Sequence, residues 1–253
     1  MNTRTLDLAS ISDRLQVQAA RLRRPLTCVL ELTYRCSFRC GMCYVRMEDA
    51  DAARFGRMRT VEEWTDMAEQ LRGAGVLNLV LSGGECTVYP GFSELYEQLA
   101  RMGFRLQIMS NAAAYTEEIR DLFRRYPPYN AAVTLYGGSD ETCRAVTGVS
   151  GAFTRPVENI RFFQSIGVPV TLNFTVVRQN VLDYPRIGRL SQELGIPYTL
   201  ITDITDHRYG AAFSEAEKFR LSPAERACVA CCSVLDVERA MAEAADEIGR
   251  AHV

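Results

Sequence analysis

Three cysteines sit together in Cys36-Ser37-Phe38-Arg39-Cys40-Gly41-Met42-Cys43, directly behind a short apolar run, Thr27-Cys28-Val29-Leu30-Glu31-Leu32. A C-x3-C-x2-C spacing lets one loop wrap a single inorganic centre, because thiolates are soft ligands that suit iron–sulfur clusters and zinc alike. The count of three is informative. A closed structural zinc site takes four protein ligands, and a fully protein-ligated cubane also takes four. A triad without a local fourth partner leaves one coordination position open, as a catalytic centre requires. A zinc clip is the rival reading of the same spacing. In either case the fold must deliver a strand end into this loop.

The chain of 253 residues is long enough to bury a substantial core, as one large domain or two small ones. Its 47% hydrophobic and 24% charged residues are those of an ordinary globular protein. A net charge of -2 gives no reason to expect a nucleic acid or an anionic membrane as partner. Nine cysteines would suggest disulfides in a secreted chain. Residues 1–24, however, mix Arg and Asp with single apolar residues and lack the apolar centre of a signal peptide. No run approaches the length of a membrane span. A reducing cytoplasm, with cysteines used for metal, is the better account. The two histidines, His207 and His252, argue against a histidine-rich metal site or a His-based triad.

Along the chain, Leu8, Ile11, Leu15, Val17 and Leu22 recur at loosely helical spacing, and Pro25 ends that pattern before the first strand, 27–32. Thr60-Val61-Glu62-Glu63 has the form of a capping box and opens a helix closed by Gly73 and Gly75. A second strand, 77–81, ends in Ser82-Gly83-Gly84-Glu85. Two glycines at a strand end let the backbone approach a ligand without interference from Cβ, and Glu85 offers an acceptor for an ammonium group. Further strands are expected at 105–109, 131–135, 170–177 and 198–201, with helices at 92–102, 117–125, 157–166 and 185–194. Six strands alternating with helices imply right-handed βα units on a parallel sheet. The polar motifs Cys36, Gly83, Ser110-Asn111, Thr134-Tyr136 and Val177-Arg178 all follow strand ends, where α/β barrels carry their chemistry.

The cysteine loop followed one βα unit later by Gly-Gly-Glu resembles the radical S-adenosylmethionine (radical SAM) superfamily. The resemblance implies a partial (β/α)6 TIM-like barrel over residues 25–210, with short helical extensions at 1–24 and 211–253. It implies that Cys36, Cys40 and Cys43 hold a 4Fe-4S cluster whose remaining iron is chelated by the amino and carboxylate groups of S-adenosylmethionine. The position before the last cysteine, usually aromatic, is here Met42, with Tyr44 following. By the same resemblance Gly83, Gly84 and Glu85 receive the SAM amino group, and Ser110 and Asn111 meet the ribose hydroxyls. Thr134 and Arg155 are candidates for the methionyl carboxylate, Arg155 having a solvated helix start as its alternative. Met42 and Tyr44 would pack near the adenine or simply fill the loop. An electron from a reduced flavodoxin or ferredoxin would cleave SAM to methionine and a 5'-deoxyadenosyl radical, which abstracts a hydrogen atom from an unactivated C–H bond.

Two stretches, SGGECTVYPGF from Ser82 and TLYGGSDETCRAVTGVSGAF from Thr134, are similar to the SPASM/twitch branch, many of whose members modify ribosomally made peptides. Residues 211–253 are short for the auxiliary-cluster domain of that branch. Ser222-Pro223-Ala224-Glu225 predicts a capped helix that places Cys228, Cys231 and Cys232 on one face, either as apolar packing or as an auxiliary iron–sulfur site. Cys86, where relatives commonly have proline, is either a hydrogen-atom donor facing the site or a buried residue. The expected substrate is a peptide or natural product. Because 24 residues are few for a leader-recognition domain, a sugar or aminocyclitol epimerase or dehydrogenase is the alternative. A non-catalytic iron–sulfur or zinc protein is the rival of another class.

Overall fold

Each apolar run bounded by turn residues becomes a strand, and each amphipathic stretch between them becomes a helix that returns the chain to the same end of the sheet. The computed structural model describes residues 8–208 and 215–231. The strands are β1 (Thr27–Glu31), β2 (Asn78–Ser82), β3 (Arg105–Ser110), β4 (Asn130–Leu135), β5 (Val170–Thr175) and β6 (Tyr198–Ile201). They lie in the order 1-2-3-4-5-6, every neighbouring pair parallel. Parallel neighbours need crossovers, which α3 (Val61–Ala74), α4 (Phe92–Arg101), α5 (Glu117–Arg125), α7 (Thr154–Ser165) and α8 (Tyr184–Leu194) supply. This is the expected six-unit, partial TIM-like architecture. α1 (Leu8–Leu22) precedes β1, and the short α2 (Asp49–Ala52) follows the cysteine loop. Among the described residues no helix is long and apolar enough to cross a membrane.

The main core lies between the sheet and these helices. Leu79, Leu81, Ile108, Val133 and Leu172 are buried from the strands, and Leu95, Leu99, Leu122 and Ile160 from the helices. A run of rings knits the helical layer: Tyr96 to Phe123 at 5.3 Å, Phe123 to Phe163 at 5.4 Å and Tyr115 to Phe123 at 5.5 Å between centroids.

Local signals decide the element ends. The capping box at Thr60 forms, with Glu63 N–H on the Thr60 hydroxyl and Thr60 N–H on the Glu63 carboxylate, and Gly75 closes α3 at φ 99°. Two boundaries differ from the sequence expectation by more than one residue. β5 stops at Thr175, short of Val177, because the Asn180 side chain accepts the Val177 N–H at 2.7 Å and donates to the Thr175 carbonyl at 2.8 Å, satisfying the backbone off the sheet. α7 begins at Thr154 because Asp140 accepts the N–H groups of Phe153 (2.9 Å) and Thr154 (3.2 Å). Asp140 itself opens α6 (Asp140–Thr147), a helix absent from the sequence expectation although Ser139 caps it and Gly148 ends it at φ 70°.

Among the described residues the sheet does not close on itself, and β1 and β6 are its edges. Across that seam Arg208, beyond β6, makes a two-pronged ion pair with Glu31 of β1, donates its N–H to the Tyr44 carbonyl at 3.0 Å and lies over the Tyr44 ring. The Arg208 hydrogen bond holds the Glu31 carboxyl below the ordinary glutamate value.

Two outcomes follow from this packing. Phe123→Ala should cost about 3–5 kcal/mol of unfolding free energy, read by chemical denaturation. Because the Glu31 pKa is depressed in the folded state, the seam contact is present above the ordinary glutamate range and is lost as pH falls through the folded value. The protection of the Arg208 amide, measured as its exchange rate relative to the intrinsic rate at each pH, should therefore fall in acid, and in Glu31→Gln it should be low already at neutral pH.

Candidate active site

The carboxyl end of β1 runs straight into the cysteine loop, which is seated on the end of β2. Gly84 N–H donates to the Thr33 carbonyl at 2.6 Å and Glu85 N–H to the Arg35 carbonyl at 2.9 Å. A Cβ on Gly83 would lie 2.5 Å from the Thr33 carbonyl oxygen, and one on Gly84 only 2.4 Å from that of Arg35. The two glycines are thus required by contact between two loops of the chain itself, a reason the sequence does not display. On its far side the loop is fastened by Arg39 N–H on the Thr147 carbonyl at 2.9 Å, at the end of α6. Phe38, Cys40 and Met42 form a small core there with Cys143, Val146, Ala152 and Val177.

Cys36, Cys40 and Cys43 line one cavity of about 340 Å3 at the carboxyl ends of the strands, opposite Gly83, Gly84 and Thr134. Burial pushes the Cys36 thiol up to about 11 and the Cys40 thiol higher still. The charges that act on Cys36 and Cys40, those of Glu85 and of neighbouring thiols, also oppose ionisation. Such thiols become ligands only when a bound cation supplies the missing positive charge. Among the described residues no three His, Cys, Asp or Glu side chains converge on a single ion. A tetrahedral zinc, with sulfur at about 2.3 Å, would draw its thiolates to within roughly 4 Å of one another. A cubane has no such requirement, since each cysteine binds a different iron, so the donor set fits a 4Fe-4S cluster with one open iron.

Glu85 does not line this cavity. It is wholly buried, and its carboxylate accepts the Ser110 hydroxyl at 2.8 and 2.9 Å, the Asn111 N–H at 2.8 Å, and the Thr87 N–H and hydroxyl at 3.2 and 2.7 Å. Ser110 Oγ in turn accepts the Ala112 N–H at 2.8 Å. Ala112, fully buried, has φ 52°, a left-handed conformation that costs a non-glycine residue about 1 kcal/mol or more. Its carbonyl accepts Asn159 Nδ2 at 2.7 Å, so the turn is held from both sides.

Met42, Tyr44, Thr134, Ser110 and Asn111 all border the cavity, as do Gly83 and Gly84. Arg155 does not: it is exposed at the start of α7, packed on Gly151 beside Asp140. Cys86 is also outside the cavity. A single 3-10 turn, Cys86–Val88, directs it into the main core, where it is fully buried and its thiol faces the Met109 carbonyl at 3.7 Å. α9 (Pro223–Cys231) forms behind the predicted capping box, Glu225 N–H on Ser222 Oγ at 3.2 Å and Ser222 N–H on Glu225 at 2.6 Å. Cys232 and the side chains of Cys228 and Cys231 lie outside the described residues.

The cavity also contains residues to which sequence reasoning gave no role of their own. Tyr136 turns its hydroxyl to Cys40 and its ring edge to Phe38, centroids 6.2 Å apart. The hydroxyls of Ser82, Thr175 and Thr205, like that of Thr134, line the cavity with no hydrogen-bond partner among the described residues. Their signal was positional: each lies at or just beyond the carboxyl end of a strand.

With cysteine loop, glycine turn and cavity on one end of a parallel six-stranded sheet, the chain belongs to the radical SAM superfamily, whose family pattern matches residues 30–190. It is 28% identical over 193 residues to the PqqA peptide cyclase of Gluconobacter oxydans, covering 76% of this chain and 53% of that protein. To the PqqA peptide cyclase of Granulibacter bethesdensis it is 24% identical over 192 residues, 76% of this chain and 50% of the relative. Among solved structures it resembles Streptococcus suis SuiB bound to the precursor peptide SuiA, with TM-score 0.60 and 16% identity over 79% of this chain and 46% of SuiB. It also resembles anSMEcpe with bound AdoMet and the Cp18Cys peptide, with TM-score 0.63 and 14% identity over 79% and 56% of the two chains. The chain thus spans about half the length of the curated relatives it matches. Membership of the family implies a 4Fe-4S cluster and S-adenosylmethionine as cofactors.

The glycine contact is directly testable. Gly84→Ala places a methyl group against the Arg35 carbonyl and should cost at least about 1–3 kcal/mol. For a chain of this size that is a fall of roughly 2–12 °C in the thermal midpoint, read by circular dichroism. Iron retained after reconstitution should fall with it.

Proposed function

We propose that this chain is the catalytic core of a peptide-modifying radical SAM enzyme. The observation that carries the reading is the convergence of Cys36, Cys40 and Cys43 with the Ser82–Gly84 turn on one cavity at the carboxyl ends of the strands. Similarity to PqqA peptide cyclases supports a peptide as substrate. Bound there, the cluster and S-adenosylmethionine supply the one-electron chemistry that removes a hydrogen atom from an unactivated C–H bond. A flavodoxin- or ferredoxin-type protein in a reducing cytoplasm provides the electron.

The chain's own residues hold and shield that chemistry. Cys36, Cys40 and Cys43 ligate the cluster. Gly83 and Gly84, whose side-chain-free edge borders the cavity, present main-chain groups to the methionyl ammonium, and Thr134 offers its unpartnered hydroxyl to a polar ligand group. Glu85 acts behind them by fixing the end of β3. Met42, Phe38 and Tyr136 exclude water from the cysteine side, which strengthens every polar contact made inside. Arg155, exposed at the start of α7, is left out of this scheme.

Anaerobically reconstituted protein given dithionite and S-adenosylmethionine should release 5'-deoxyadenosine, measured by chromatography; its complete absence from iron-loaded protein would sink the enzyme reading. The Cys36→Ala/Cys40→Ala/Cys43→Ala variant should retain near-zero iron. About four residual irons would instead place a second cluster on Cys228, Cys231 and Cys232.

A further inference from the structure

The sulfur of Cys36 sits under two donors, the Phe38 N–H at 3.3 Å and Asn111 Nδ2 at 3.3 Å. Cys40 has the Tyr136 hydroxyl, while no hydrogen bond to the Cys43 sulfur is made among the described residues. The Asn111 amide cannot be turned the other way. Its Oδ1 accepts the Ala113 N–H at 3.0 Å, and a backbone N–H can only donate, so the NH2 group has to face the sulfur and Ser37 Oγ, the latter at 3.1 Å. The main chain of the residue is equally fixed: its N–H is on Glu85, the next residue holds a left-handed turn, and Asn111 is only 6% exposed.

We propose that Asn111 is a positioning residue for the cluster, its side-chain amide hydrogen-bonding the Cys36 thiolate and raising the reduction potential of the 4Fe-4S centre. The proposal deepens the radical SAM reading and rests on it. One-electron reduction by an external donor adds negative charge that spreads over the irons and their sulfurs. An N–H dipole pre-aimed at one of those sulfurs stabilises the reduced form more than the oxidised one, and hydrogen bonds to sulfur are among the factors that set the potentials of such centres. The contact is buried and its donor is immobilised before any electron arrives, so no reorganisation opposes the effect. The residue expected from sequence to meet a ribose thus has its amide directed to the cluster ligand.

The test is a redox titration of anaerobically reconstituted protein, without S-adenosylmethionine, followed by electron paramagnetic resonance of the reduced cluster. Asn111→Leu, which removes the donor, should take up iron as the wild type does and shift the midpoint to a more negative potential. Asn111→Asp keeps the acceptor for Ala113 but sets an anionic oxygen against the sulfur, and should shift it further in the same direction. Midpoints equal to that of the wild type in iron-loaded variants overturn the proposal. A second measurement needs no variant: with 15N-labelled asparagine, the electron spin echo spectrum of the reduced wild-type cluster should change through coupling to the Asn111 amide nitrogen. An unchanged spectrum overturns the contact. Wild-type protein that binds no iron overturns the radical SAM reading, and the proposal with it.

Discussion

A single buried carboxylate organises the active end of this barrel. Glu85 is removed from water with no cationic partner among the described residues, a costly placement unless its oxygens are saturated with donors. Ser110, Asn111 and Thr87 provide them, through two hydroxyls and two backbone N–H groups. These hydrogen bonds gather the turn after β2 and the end of β3 into one unit. From that unit Asn111 reaches the first cysteine, while Gly84 and Glu85 hold the backbone that leads to it. The ends of three strands are therefore positioned through one side chain that does not line the cavity.

The cysteine side is prepared differently. Burial and neighbouring negative charge both oppose ionisation of the Cys36 and Cys40 thiols. Left alone they are poor thiolates, so deprotonation and cluster assembly are coupled events. What the protein contributes beforehand is the shape of the loop, set by Phe38 and Met42 in the small core over α6 and by the Arg39 contact to the end of that helix. A pre-shaped loop with inert thiols is selective for a group that brings its own positive charge.

The sheet was legible in the sequence because its strands β2, β4 and β5, buried through consecutive residues, read as continuous apolar runs, and the cysteine spacing survived because ligand chemistry is local. What was not legible depended on distant partners. Asn180 ends β5 through contacts with Thr175 and Val177, and Asp140 starts α7 from thirteen residues away, so neither boundary follows from propensity. Glu85 has the side chain expected of an ammonium ligand, yet burial against Ser110 and Asn111 turns it into a structural acceptor. The two glycines had the right position and a different reason: they yield space to Thr33 and Arg35. Cys86 follows the same rule, since the 3-10 turn behind Glu85 sends it to the core.

These assignments divide the polar groups of the site into two sets with different freedom. The carboxylate of Glu85 and the side chains of Ser110 and Asn111 are engaged with the protein and form a rigid frame. The hydroxyls of Ser82, Thr134, Thr175 and Thr205 are unpartnered among the described residues, and they come from the ends of β2, β4, β5 and the segment beyond β6. A frame that is saturated holds its geometry whatever enters, whereas unpaired donors at a cavity wall gain most from a ligand that pairs them. Between the edge strands β1 and β6 the described residues are bridged by Arg208 to Glu31 and Tyr44 rather than by a continuous ladder of strands. Rigidity is concentrated in the frame that Glu85 gathers, and the groups left to adapt to a ligand stand along the rest of the cavity wall.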